Sequence, residues 1–173
     1  MIAWMVSGWL ASQGVGALEG ATEWTRRETP HEGASRGVSL QRAAVLKSLA
    51  AASQGLLFLS ETDAPFTSVD APDQPFQTLD DAAVRALAGH PAEDPVETVS
   101  VDHLFRNAVK DQPWHTPKEK ADVKRYQALV ALIHATLPDA KVYRVGKVSI
   151  DVLILGTGPG GGALGLATKV VET

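Results

Sequence analysis

Residues 140–173 read AKVYRVGKVSIDVLILGTGPGGGALGLATKVVET, and their pattern predicts the core of a β-sheet. Apolar runs over 141–145, 148–155 and 164–171 are separated by glycine-containing segments, which is typical of consecutive strands. The middle run is apolar on both faces, so we expect a central strand that helices cover on each side. A strand that runs into the last residues would hold them at a fixed place.

The clearest helix is predicted over 116–137. Thr116-Pro117-Lys118-Glu119 combines a capping box with proline at the first helical position. Pro138 prevents continuation. One face is apolar at spacings of three and four, through Val123, Tyr126, Val130, Ile133 and Leu137.

Shorter elements are predicted upstream of this helix. A helix over 39–54 would have Ser39 as its N-cap and Gly55 as its stop. The others are a β segment at 56–59, an edge strand at 66–70, a helix at 80–88, a strand at 96–101 and a helix at 102–109. Together they predict an α/β domain of the α+β type with a mostly antiparallel sheet.

The composition is that of one ordinary globular domain. The chain has 173 residues, 45% of them hydrophobic, and no cysteine, which excludes disulfides and thiolate metal sites. The net charge is −4 and no long Lys/Arg run exists, so direct nucleic-acid binding is not expected. The first basic residue is Arg26, so a secretory signal is not predicted and a cytoplasmic location is expected.

Residues 1–38 differ from the rest of the sequence. An apolar start with Trp4 and Trp9 is too short to span a bilayer. A Gly-, Thr- and Glu-rich stretch without a sustained period follows. We therefore predict a disordered or dispensable extension over 1–38 and the folded domain over 39–173. A weak membrane or partner anchor is the alternative for the extension.

Two patterns formally suggest ligand binding or catalysis. The 156–161 stretch GTGPGG contains GxGxxG, but a dinucleotide site needs a following helix and second strand, and residues 164–171 resemble a strand. A hairpin-like loop is expected instead.

Ser60, His115 and Asp151 could in principle form a hydrolase site, but no nucleophile-elbow motif surrounds the serine. His134, beside Ile133 on the long helix, is interpreted as a surface or packed histidine. Enzyme activity is not expected.

The VYR-G-V--DV pattern at 142–152 and the ending TKVVET closely resemble the nuclease A inhibitor family. A second match, GLLFLSE at 55–61 followed by Pro65-Phe66, lies far upstream in the same order. The resemblance covers about residues 39–173 and implies a three-layer α-β-α sandwich. It also implies a protein inhibitor of a sugar-non-specific, metal-dependent DNA/RNA endonuclease.

The resemblance implies three site residues. The glutamate that closes the upstream motif, Glu61, reaches the nuclease's metal in this family. Trp114 corresponds, more loosely, to the family's interface tryptophan, since His115-Thr-Pro replaces the acidic residues that usually follow. Thr173 would supply the C-terminal carboxylate. Glu61 and Thr173 are thus the expected bridge to a partner-held Mg²⁺ or Mn²⁺, and the free protein is expected to hold no cofactor.

The expected assembly is a monomer that forms a 1:1 complex with the nuclease, without membrane or direct nucleic-acid binding. Two other functions stay open at this point. The same fold could bind a different hydrolase or toxin, since the proline-rich middle departs most from the family. A small hydrolase or ligand-binding domain is the second alternative.

Overall fold

A computed structural model of the chain describes residues 30–58 and 64–172. The α-helices are α1 (Pro30–Ser53), α2 (Asp81–Ala88), α3 (Val101–Phe105) and α4 (Pro117–Thr136). The strands are β1 (Leu57–Phe58), β2 (Ala64–Pro65), β3 (Thr67–Pro75), β4 (Val96–Ser100), β5 (Lys141–Val145), β6 (Ser149–Thr157) and β7 (Gly162–Val171). A 3₁₀ turn, Phe76–Thr78, links β3 to α2.

Five strands form one antiparallel sheet in the order β3-β7-β6-β5-β4, and β1 pairs with β2 in a separate two-stranded ribbon. The three strands predicted near the end of the chain are all present. β6 is the central strand of the five, as its apolar pattern predicts. The edge strand predicted at 66–70 is β3, which continues to Pro75.

Helices cover both faces of the sheet. One core lies between the sheet and α1, α3 and α4, and includes Leu49, Phe105, Ile133 and Ile154. A smaller core on the opposite face joins α2 and the 3₁₀ turn to the sheet through Phe76, Val84, Leu153 and Leu155. The α+β class is therefore confirmed, with the sheet as the middle layer.

The capping box predicted for α4 is confirmed, and α2 is capped at both ends as well. The Thr116 hydroxyl accepts the Glu119 N–H at 3.3 Å, and the Glu119 carboxylate accepts the Thr116 N–H at 2.6 Å. The hydrogen bond from the Thr116 N–H to the carboxylate, and next the interaction with the Thr116 side chain, lower the pKa of Glu119. In α2, Asp80 accepts the Ala83 N–H and Gly89 ends the helix in the left-handed conformation.

Two predicted helix boundaries are wrong. Helix α1 begins at Pro30, so Ser39 lies inside it and is not its N-cap. Residues 33–37 are all exposed, so this turn of helix has no apolar face from which periodicity could detect it. The helix predicted at 102–109 ends at Phe105. The domain boundary after residue 38 stays a prediction.

The turn between β6 and β7 is anchored by Arg42 of α1. Its buried guanidinium donates to Asp70 Oδ1 at 2.9 and 2.5 Å, and to the carbonyls of Pro159, Gly162 and Ala163 at 2.9, 3.3 and 2.8 Å. These bonds use all five guanidinium donors. The GxGxxG stretch is therefore the hairpin turn that was expected, because it joins two antiparallel strands and no helix follows it.

Among the described residues, no helix combines the length and the hydropathy needed to cross a membrane.

Candidate functional site

The topology brings several chain segments to one end of the sheet. Because the strands are antiparallel, β7 and β5 end where β6, β4 and β3 begin. Helix α4 also begins there, since its last residues pack at the opposite end, where Leu137 lies against Gly156. We call this the Trp114 end: Leu57–Phe58, Ala64–Pro65, residues 111–117, the 146–148 turn and Glu172. The opposite Arg42 end comprises Arg42, Asp70 and residues 158–163.

Glu61 lies outside the described residues, but the structure places both strands that flank it. Leu57 pairs with Pro65 and Phe58 with Ala64. The Thr168 hydroxyl of β7 donates to the Ala64 carbonyl at 3.3 Å. The segment that carries Glu61 therefore leaves and rejoins the fold beside the last part of β7.

Aromatic packing holds the β1–β2 ribbon on the core. The rings of Phe58, Phe66 and Phe105 form a cluster with centroids 6.0 to 6.3 Å apart, and Tyr126 lies 6.0 Å from Phe105. The Tyr126 hydroxyl also donates to the Leu57 carbonyl at 2.5 Å. These contacts hold Leu57 and Phe58, in the first half of the upstream motif, against the core.

Thr173 also lies outside the described residues, whereas its neighbour Glu172 is firmly placed. The Glu172 N–H donates to the Val148 carbonyl at 3.0 Å, which continues the β6–β7 pairing by one bond. Its carboxylate accepts Arg144 Nη2 at 2.5 Å. The last described residue is therefore held by both its backbone and its side chain.

Trp114 is 76% exposed, the highest value among the large apolar side chains that the structure describes. Its ring lies edge-on to His115 with centroids 6.5 Å apart. With this exposure, the indole does not fold back onto the start of α4. Trp114 therefore presents an apolar surface to solvent at the end of the molecule where Glu172 is also found.

A cleft of 430 Å³ lies beside this tryptophan, between the start of α4 and the ribbon. Its wall includes Leu57, which is 41% exposed, together with His115, Lys118 and Tyr126. Val148, 59% exposed, lies on the other side of the same end, next to Glu172. Three of the four exposed large apolar side chains in the described part of the chain are thus at the Trp114 end.

The hypothetical Ser60–His115–Asp151 site is not assembled. Asp151 binds His90 Nε2 at 2.7 Å and Lys169 at 3.3 Å, on the face of the sheet covered by α2. His115 lies on the other face, where its Nδ1 accepts the Gln112 N–H at 3.1 Å. Ser60 is outside the described residues. His134 is a surface histidine near Asp102, in agreement with its interpretation from the sequence.

The sequence did not reveal the cluster around His90. Its Nδ1 binds Asp94 at 2.6 Å while Nε2 binds Asp151, so both ring nitrogens meet carboxylates. The hydrogen bonds to Asp94 and then Asp151 raise the pKa of His90, and partial burial opposes them. The 61-residue separation from Asp151 leaves no local signal for this pair. Among the described residues, the His90 cluster included, no group of three or more His, Cys, Asp or Glu could hold a metal ion.

No curated protein shows significant similarity to the sequence. The model of one protein family, described as nuclease A inhibitor-like protein, matches residues 43–173. That match covers well over half of the chain, including every strand of the sheet and both upstream and terminal motifs. The chain therefore belongs to the nuclease A inhibitor-like family.

Proposed function

We propose that this protein inhibits a sugar-non-specific, Mg²⁺- or Mn²⁺-dependent DNA/RNA endonuclease of the nuclease A type by inserting its Trp114 end into the active site. Family membership supports nuclease inhibition in general. The observation that carries the proposal is the convergence at one end of Trp114, the strands flanking Glu61 and Glu172. Leu57 and Glu172, more than 100 positions apart in the sequence, thus lie at the same end of the sheet.

The chemistry follows from what such an enzyme binds. A hydrated divalent cation in the active site attracts phosphate oxygens, and carboxylate oxygens are equally suitable ligands for a hard cation. In the proposal, the carboxylates of Glu61 and of the Thr173 terminus occupy positions where phosphate oxygens would lie, directly or through water. The metal belongs to the nuclease.

In the proposed complex, the exposed apolar side chains would contact the nuclease around the two carboxylates. A tryptophan that is exposed in the free protein gains most when a partner removes it from water. Leu57 and Val148, on either side, would exclude solvent from the charged centre. We infer a monomer that forms a 1:1 complex, in the cytoplasm, with no direct contact to nucleic acid or membrane.

The test is a double-mutant cycle at the two carboxylates. Appending a few residues after Thr173 replaces the carboxylate by an amide carbonyl, and Glu61→Gln removes the other charge. Each change should weaken inhibition by roughly 2–5 kcal/mol, because the nuclease's cation loses one of its ligands. Together they should be non-additive, since both act at one metal.

Matched controls keep the test specific. The same residues appended before Met1, and Asp73→Asn on an exposed carboxylate near the Arg42 end, should leave the inhibition constant unchanged. A folded, C-terminally extended protein that inhibits as tightly as the parent would rule out the bridge. No inhibition by the parent protein, with capture of another hydrolase or toxin, would instead support the alternative binding module. Hydrolysis or a large ligand-induced thermal shift without a protein partner would support the third alternative.

A further inference from the structure

Arg144 of β5 connects two carboxylates that come from different strands. Nη1 donates to Glu97 Oε2 at 2.9 Å and Nη2 donates to Glu172 Oε1 at 2.5 Å. Glu97 lies directly opposite Arg144 on β4, whereas Glu172 follows β7, two strands away in the opposite direction. The guanidinium therefore links a residue of the edge strand β4 to the residue that follows β7.

The three side chains differ in exposure in a way that indicates their roles. The Arg144 side chain is 22% exposed, while those of Glu97 and Glu172 are 62% and 55% exposed. Arg144 thus lies against the sheet as the fixed member, and the two carboxylates reach it from the rim. Glu97 holds the guanidinium from one side, so that its other edge points toward Glu172.

We propose that Arg144 is a positioning residue for Glu172: the Glu97–Arg144–Glu172 clamp holds this residue, the last one described, at the rim of the sheet. The functional part of this inference rests on the proposed function, in which Thr173 carries an interface carboxylate. Besides the clamp, the hydrogen bond from the Glu172 N–H to the Val148 carbonyl holds this residue in the described part of the chain.

Arginine suits this role better than lysine. A planar guanidinium offers donors along two edges and binds two carboxylates in fixed directions. A lysine ammonium is a single strongly hydrated point charge, which cannot hold both glutamates in one geometry. Exposed ion pairs add little to global stability, so we assign this network to local order at the chain end.

The first test measures that order in the free protein. Arg144→Met and, independently, Glu172→Gln should accelerate hydrogen exchange of the Glu172 amide several-fold, about threefold to tenfold, while core amides in β6 keep their rates. Arg144→Lys should recover part of the protection. Lys141→Met, an exposed site at the other end of the same strand, is the matched control and should change nothing. Unchanged exchange at Glu172 in the Arg144 and Glu172 variants would overturn the clamp.

The second test measures inhibition of a nuclease A-type endonuclease by the same variants. Arg144→Met should weaken inhibition about threefold to tenfold, and adding Glu172→Gln should cause little further loss. Faster exchange with unaltered inhibition would confirm the clamp but contradict the use of the terminus in the proposed function. Weaker inhibition with unaltered exchange would show that Arg144 contacts the nuclease itself, and would overturn its positioning role.

Discussion

At the Arg42 end of the sheet, a buried guanidinium uses all five of its hydrogen-bond donors within the protein. At the Trp114 end, by contrast, an indole faces solvent. In the first arrangement the hydrogen-bond donors of Arg42 are all used within the protein. The second leaves apolar surface and rim carboxylates unburied in the free protein. The same five strands thus connect an end whose polar groups are paired within the protein with an end that leaves apolar side chains exposed.

Because the two ends differ in this way, we expect mutations at one end to change stability and mutations at the other to change inhibition. Changes at the Arg42 end should alter the free energy of unfolding and leave the inhibition of the folded fraction intact. Changes at the Trp114 end should do the reverse. His90, next to Gly146 on the face of the sheet covered by α2, should affect stability in a way that depends on pH.

The largest expected effect is at Arg42. Arg42→Met removes the donor to Asp70 and to the carbonyls of Pro159, Gly162 and Ala163, and each buried acceptor left unsatisfied costs about 1–3 kcal/mol. The free energy of unfolding in urea measures this loss. Lys47→Met, at an exposed position of the same helix, should change it by less than about 0.5 kcal/mol. Equal stabilities for the two variants would show that Arg42 is not the anchor of the β6–β7 turn.

Trp114→Ala should have the next largest effect, and on inhibition alone. Truncation of an interface tryptophan typically costs at least about 2 kcal/mol, or about thirtyfold in affinity. Its high exposure means that folding loses little. Leu40→Ala, on the N-terminal half of α1 and 68% exposed, is the control that should leave inhibition as it is. A Trp114 variant that unfolds early but inhibits normally once folded would make this residue structural.

A smaller, pH-dependent effect is expected at His90. Because Asp94 and Asp151 raise the pKa of His90 in the folded state, the protonated ring stabilises the fold. That stabilisation is complete below the unfolded pKa, about 6.5, and is lost as pH rises through the higher folded pKa. Urea midpoints should therefore show a larger penalty for His90→Gln at about pH 6 than at about pH 9. A penalty that is the same at both pH values would contradict this linkage. In the His90→Gln variant, Asp151 keeps its ion pair with Lys169.

Much of the sheet could be predicted because its signals are local. The three terminal strands each carry an apolar run, and the turns between them contain glycine. The capping box at Thr116 likewise needs only four consecutive residues. The start of α1 was missed because residues 33–37 bury no side chain, and helices are detected in a sequence mainly through the face they bury.

The candidate site depended on both resemblance and topology. Nothing in the residues around Trp114 predicts that they lie at the same end as Glu172, since that follows from strand order and from the direction of α4. The partners of Arg42 and Arg144, and the Asp151 partner of His90, were missed for the same reason. These pairs are separated by 28 to 121 residues, and a single sequence contains no signal for distant pairs. The roles of Glu61 and Thr173 stay predictions.

The pairing of β3 with β7 has a consequence for how the chain folds. The β5–β6 and β6–β7 turns span three and four residues, whereas Thr67 and Ala167 meet across a separation of 100. Each doubling of a closed loop costs about 0.6 kcal/mol of chain entropy, so bringing β3 to the sheet costs roughly 2.5–3 kcal/mol more than closing either hairpin. The β5–β7 meander can form before that cost is met, and β3 then docks onto an edge that already exists. Arg42 bonds to Asp70 of β3 and to both the turn and the start of β7, so these bonds add to the β3–β7 pairing in offsetting the entropy cost of bringing β3 to the sheet.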